Sequence, residues 1–335
     1  MNSKIHLFCF ILLASITIGS VFGVEQYLPA GEDLLDHRGW EIINPGNQVA
    51  VIGDSYLFLS SQIPDTHVRI EQSLDVPGDD LIVKLSADIR TVDVARGNQA
   101  WNTARLLLLQ YNAGGQWLQG DHGVISLEGS HGWRNYEKTF KIQPEAAQLK
   151  VAAALSRCKG GLNVRNIRLY PVSVSRPYTW TRVVVLGGWG LFFIFFMGAF
   201  VAGYGAAMRM SIVLCMAAIL FTTMIPGSMK QAIYSQFYTC LGLIGFAGLE
   251  NSGASIGRAG HFIFFAAFGG VMGWRMPGVS IRHLGIAVVM LAGGTELAQI
   301  YIDGRTPILT DFVVDMCGGV TGLALANWKK MKTPI

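Results

Sequence analysis

Glu296, Arg305, Asp311 and Asp315 lie within one apolar stretch, GGTELAQIYIDGRTPILTDFVVDMCGGVTG, at residues 293–322. Ionisable side chains in sequence this apolar are expensive at membrane depth, so they mark either a site or a structural cluster of ion pairs. Glu296 and Gln299 are three apart and Asp311 and Asp315 four apart, which puts each pair on one helix face. Arg305 falls in the turn between the two helices. Arg258 and His261 open an earlier apolar segment. Three kinds of chemistry suit this set. Arg258 and Arg305 match the bidentate geometry of phosphate. Two or three of the acids are able to hold a divalent cation that bridges a pyrophosphate. One acid with His261 suits general-base work. Against these stands a purely structural reading, in which the Arg and acid charges nearly cancel and tie helices together.

A second set of candidates lies in the polar half. Trp101, Tyr111 and Trp117 present flat aromatic faces of the kind that stack on sugar rings, or else they anchor loops and fill the core. Trp133 begins a strand and is expected to pack. His283 sits in a basic loop and is expected to be solvated. No Ser-His-Asp spacing, phosphate-binding glycine loop or Cys-rich metal motif appears elsewhere.

The elements that must position these residues divide the chain in two. Residues 25–180 carry 17 acids and 15 bases, an ordinary soluble density, whereas residues 181–335 carry 5 acids and 10 bases. With a mean hydropathy of +0.39 and 14% charged residues overall, the second part reads as a membrane domain. The net charge of +4 gives no case for nucleic-acid binding, because the excess bases fall at helix ends. Cys158 is alone in the polar part, so no disulfide framework is available there.

Residues 1–24 hold Lys4 followed by IHLFCFILLASITIGSVFG, which reads as a secretory signal peptide or an uncleaved signal anchor. Residues 35–172 are expected to form a β-sandwich. THVRIEQSLDV places Val68, Ile70, Leu74 and Val76 on one side and His67, Arg69, Glu71 and Asp75 on the other. LIVKLSADI, ARLLLLQY, WRNYEKTFKI, LKVAAAL and NVRNIRLY supply further strands. Turns are expected at Pro77–Asp80, Asn112–Gly115 and Lys159–Gly161. Residues 173–181 form a linker broken by Pro177, with Tyr178 and Trp180 suited to an interfacial aromatic belt.

Five spans are expected, at 182–206, 211–225, 259–274, 284–302 and 309–328. Segment 237–249 is too short for a crossing and reads as interfacial or re-entrant. Arg209, then Arg275, Arg282 and His283, then Lys329, Lys330 and Lys332 in the tail 329–335 fall on one side with Lys4, which the positive-inside rule assigns to the cytoplasm. The β domain is then exported. Arg258, His261, Glu296, Gln299, Arg305, Asp311 and Asp315 gather near the outer face, with Glu296 about 9 Å below its helix end at ~1.5 Å per residue.

Residues 182–328 resemble the VanZ-like membrane family. The resemblance rests on Glu296-x-x-Gln299, Arg305 in the next turn, Asp311-x-x-x-Asp315-x-x-Gly318-x-x-x-Gly322, and His261-Phe262 opening an earlier helix; the family's common Asn is Asp at 315. It implies a role at the cell envelope and a link to glycopeptide (teicoplanin-type) antibiotic resistance. The polar domain resembles jelly-roll carbohydrate-binding modules, through ARLLLLQYN, a Gly-Gly-x-Trp turn at Trp117, Gly-Trp-x-x-Tyr at Trp133 and Tyr136, and a closing NVRNIRLYPV. Together these imply an exported all-β jelly-roll sandwich followed by an all-α transmembrane bundle of about five helices, in a bacterial-type inner (cytoplasmic) membrane. The expected partners are the lipid bilayer and an envelope glycan or lipid-linked phosphorylated precursor. Three functions stay open: a binding or accessory envelope protein, an integral membrane enzyme acting on a polyprenyl-phosphate or lipid-glycan substrate, and a transporter of such a species.

Overall fold

The computed structural model describes residues 3–332 except 37, 44–48, 54–55, 65–66, 77, 79–80, 202–203, 228, 231, 234–235, 237–252 and 277–278. The expected interfacial segment 237–249 and most of the Pro77–Asp80 turn lie outside the described residues. The chain forms two units: residues 26–175, and residues 1–25 with 176–335.

The first unit is a sandwich of two antiparallel sheets. One contains β2 (Glu41–Ile43), β5 (His67–Asp75), β10 (Ala146–Ser156), β7 (Ala104–Asn112) and β8 (Gly123–Leu127) in that order. The other runs β3 (Val49–Ile52), β4 (Tyr56–Ser61), β11 (Lys159–Val174), β6 (Ile82–Ala95) and β9 (Gly129–Lys141), with β1 (Tyr27–Pro29) also paired to β11. Period-two alternation makes these residues strands, because one face meets the opposite sheet and the other does not. Val68 and Ile70 of β5, Leu106 and Leu108 of β7, and Val83, Leu85, Ala87 and Ile89 of β6 are all fully buried in the shared core.

Two turn expectations differ. Lys159-Gly160-Gly161 is not a turn but the start of β11, and the reversal comes earlier, at Arg157 with φ 48°. The register between β11 and β6 shifts there, and Gly160 at φ 118° accommodates the shift. The expected linker 173–181 is also absent as such: β11 runs to Val174 and helix α2 begins at Arg176. Pro177 sits in the first helical turn, where its missing N–H costs nothing.

The second unit is helical: α1 (Ser3–Gly23), α2 (Arg176–Val201), α3 (Ala206–Met224), α4 (Gly253–Arg275), α5 (Ile281–Gln299) and α6 (Leu309–Lys332). Among the described residues, α1, α2, α3, α5 and α6 are long and apolar enough to cross a membrane; α4, which holds the expected span 259–274 and carries Arg258 and Arg275, is not among them. Arg209, expected in a loop, lies in the first turn of α3. Helix α5 ends at Gln299 rather than 302, so Glu296 is within its last turn instead of two turns down.

Helix α1 packs as a member of this unit. Trp189, fully buried on α2, donates its indole N–H to Thr17 Oγ1 at 3.0 Å. Ser20 Oγ and Tyr301 OH are 2.7 Å apart, and His6 stacks on Phe195 at 4.6 Å. Helices α4 and α6 approach through glycines. A Cβ on Gly318 would meet the Phe262 carbonyl, and one on Gly322 would meet the Ala266 carbonyl and the Gly270 nitrogen. Only small residues permit that backbone approach.

Candidate functional site

Four helix ends meet at one end of the helical unit. Helix α4 brings Arg258 and His261, α5 brings Glu296 and Gln299, α6 brings Asp311 and Asp315, and the C-terminus of α3 brings the Thr222 and Thr223 carbonyls. Gly227 N–H donates to Asp303 O at 3.0 Å, which fastens the segment after α3 to the α5–α6 turn. Arg182 and Asp303 pair at 2.9 Å, so the N-terminal part of α2 reaches the same end.

The sequence candidates do come together here. Asp315 is fully buried and its Oδ1 lies 3.0 Å from His261 Nδ1. Glu296, 7% exposed, accepts the Ile308 N–H on Oε2 at 3.0 Å, which ties the end of α5 to the start of α6. Arg258 lies 3.8 Å from Asp311, with 55% of its side chain exposed. Arg305 is used differently from the phosphate contact expected of it. Its Nη2 donates to Thr222 O at 3.0 Å and Thr223 O at 2.7 Å, capping the last carbonyls of α3 where the helix dipole favours a cation. Arg258 is therefore the more available guanidinium.

Among the described residues, Glu296 Oε1, Gln299 Nε2 and Asp315 Oδ2 are buried at this end with no hydrogen-bond partner. Leaving such atoms unsatisfied costs about 1–3 kcal/mol each, so a group that meets them is favoured. The site also contains a residue that sequence reasoning missed. Lys230 is half-buried and its charge interacts with Arg305, Asp311 and Glu296. Its only sequence signal is a solitary base shortly after an apolar span. Among the described residues, no three His, Cys, Asp or Glu side chains group to hold a metal ion.

In the β unit, the structure brings Tyr111 and Trp117 together as bridge partners, and Trp117 packs on His122 at 5.1 Å. Trp101 precedes β7 while Tyr111 lies near its end, about 24 Å along a strand of that length, so it does not join them. Trp101 is half-exposed with Arg157 5.9 Å from its ring. Trp133 does not pack inside as expected. It lies within β9, 38% exposed, with the Arg165 guanidinium 4.2 Å above its ring.

Beside Tyr111, the outer face of the five-stranded sheet carries Arg69, Glu71 and Lys150. Glu71 is only 4% exposed and pairs with Arg69 at 2.7 Å, without hydrogen-bond alignment, and with Lys150 at 3.0 Å. Burial, then the nearby Arg69, Arg157 and Arg105, lower the pKa of His67 on this face.

No protein-family model matches the sequence, and no curated protein matches it. Solved structures do. The CBM22-1 xylan-binding domain from Paenibacillus barcinonensis Xyn10C is 12% identical, over 44% of this chain and 99% of that one, with a TM-score of 0.28. A CBM4 structure is 10% identical, over 42% and 94%, with a TM-score of 0.29. The enzymatically active domain of bacteriophage CBA120 tailspike protein 4 is 11% identical, over 44% of this chain but 19% of that one, with a TM-score of 0.30.

Proposed function

We propose that this is a multi-pass cell-envelope protein that binds glycan through its β unit and a phosphorylated, lipid-linked head group at the end of its helical unit. The observation that carries the second part is the trio of unpartnered buried atoms on Glu296, Gln299 and Asp315, flanked by the exposed Arg258. The two carboxylate oxygens accept hydrogen bonds and the Gln299 amide donates one, which suits the hydroxyl and amide groups of a sugar. Arg258 and Lys230 suit its phosphate. A lipid-linked saccharide phosphate offers both. The positive-inside distribution puts this end at the outer membrane face, with the C-terminus in the cytoplasm. The VanZ-like spacing of the same residues, and with it a contribution to glycopeptide resistance, belongs to this reading.

A second reading has one observation in its favour. The buried His261–Asp315 pair is the arrangement in which a carboxylate orients an imidazole for general-base work. In that case the head group is a substrate. Mass spectrometry of lipids co-purifying with the full-length protein tests both. Enrichment of a polyprenyl-linked phosphate over bulk phospholipid is expected, and its conversion by wild type but not His261→Ala would select the enzyme. Recovery of bulk phospholipid alone would contradict the head-group site.

A further inference from the structure

A cleft of about 630 Å³ opens on the other face of the sandwich, away from Tyr111 and Trp117. It lies where the edge of β11 changes partner. Strand β4 pairs with β11 from Gly160 to Arg165, and β1 pairs with it from Val172 to Val174. Between them the edge is covered by an irregular segment rather than a strand. Ala30 N–H donates to Pro171 O at 2.9 Å and Leu34 N–H to Leu169 O at 2.7 Å. Asp33 Oδ1 accepts the Leu169 N–H at 3.0 Å. This leaves an opening floored by Ser86, Arg168 and Tyr170 and walled by Trp40 and Tyr56.

The register explains why these side chains meet. Arg168 pairs with Ser86 across β11 and β6, so their side chains share the outer face, and the bulge between Arg165 and Arg168 resets that face. Within the bulge Asn166 sits at φ 53°, an uncommon position for a non-glycine residue. Its amide donates to Asp88 Oδ2 at 2.8 Å, and hydrogen bonds from Asn135 and Asn166 hold that carboxyl below the usual carboxylate range. A strained, pinned backbone position beside a cleft is the pattern in which strain accompanies a site. The walls are also fixed in advance: a Cβ on Gly31 would press on the Pro171 ring, and one on Gly53 would enter the Tyr56 ring.

We infer that this cleft is a second saccharide-binding site, on the six-stranded sheet, taking a short oligosaccharide. The inference rests on the glycan-binding part of the proposed function. Its volume is in the range of small-molecule sites. Trp40, Tyr56 and Tyr170 offer aromatic faces to the C–H faces of sugar rings, while Ser86 and Arg168 offer hydrogen bonds to hydroxyl or carboxylate substituents.

The test is calorimetric titration of the full-length protein in detergent with cellotriose, xylotriose, maltotriose and triacetylchitotriose, comparing Tyr56→Ala, Arg168→Gln, and Trp117→Ala as the probe of the opposite face. Melting curves establish that each variant is folded. The expected result is binding of at least one trisaccharide, weakened tenfold or more by Tyr56→Ala and by Arg168→Gln whether position 117 holds Trp or Ala. Weakening by Trp117→Ala alone would overturn this cleft while leaving glycan binding in place. Binding of none of the four would overturn both.

Discussion

Substituting Thr17 tests whether α1 is a permanent helix of this protein. Thr17 is fully buried; its hydroxyl donates to Leu13 O at 2.8 Å and accepts from the Trp189 indole at 3.0 Å. Thr17→Val preserves shape and removes the acceptor, leaving a buried N–H unmatched. In soluble proteins that costs about 1–3 kcal/mol. Between membrane helices the measured coupling averages about 0.6 and reaches about 1.7 kcal/mol, since the unfolded state also finds partners. A loss of about 1 kcal/mol follows, or about a fivefold shift in the folded-to-unfolded ratio. The assay is unfolding of the full-length protein in mixed micelles with increasing dodecyl sulfate. Trp189→Phe removes the donor instead, so the double variant Thr17→Val/Trp189→Phe is expected to cost about 1 kcal/mol less than the sum of the singles. Strict additivity would refute the contact, and a mature protein whose first residue lies beyond Gly23 would refute retention of α1 altogether.

Three further outcomes follow from the same packing. Residues 26–175 expressed alone are expected to give a β-type circular dichroism spectrum and a cooperative melt; their stability should fall as pH drops below about 6.5, because His67 has a lower pKa folded than unfolded and the unfolded chain takes up the extra proton. His67→Gln should flatten that part of the profile, and an unchanged slope would contradict the assignment. Gly322→Val should abolish folded membrane protein, since even a Cβ there meets backbone atoms of α4, with the Gly270 nitrogen at 2.6 Å; normal yield and melting would contradict the α4–α6 contact. A Cys introduced at Asp303 should label from outside intact cells and one at Lys330 should not, and the reverse pattern would overturn the orientation.

The strands and the apolar helices were legible because alternation and apolar run length report which faces are buried, as in the regular pattern through Val83, Leu85, Ala87 and Ile89. The helical polar cluster was legible because charged residues stand out against apolar sequence. What was not legible depends on register and long-range pairing. Glu71 reads as an exposed strand residue, and its burial arises from Arg69 beside it and Lys150 across on β10. Trp40, Tyr56 and Tyr170 carry no common motif, and they share a cleft only because β11 exchanges one edge partner for another. Arg305 reads as a free phosphate ligand, yet the carbonyls that hold it belong to a helix some eighty residues earlier. Lys159-Gly160-Gly161 has turn composition but begins a strand, because its glycines serve a register shift.

The most direct test of the central claim is binding of a polyprenyl-phosphate-linked N-acetylhexosamine to the full-length protein, followed by native mass spectrometry in detergent against phosphatidylglycerol as competitor. A saturable complex is expected in the wild type, weakened at least tenfold in Arg258→Ala and in Glu296→Gln while both variants melt as the wild type does. The double variant should lose little more than either single one, as expected of groups that act on one ligand. Equal binding by the wild type and both variants, or binding no tighter than phosphatidylglycerol, would contradict that claim and leave the polar cluster as a structural tie between helices.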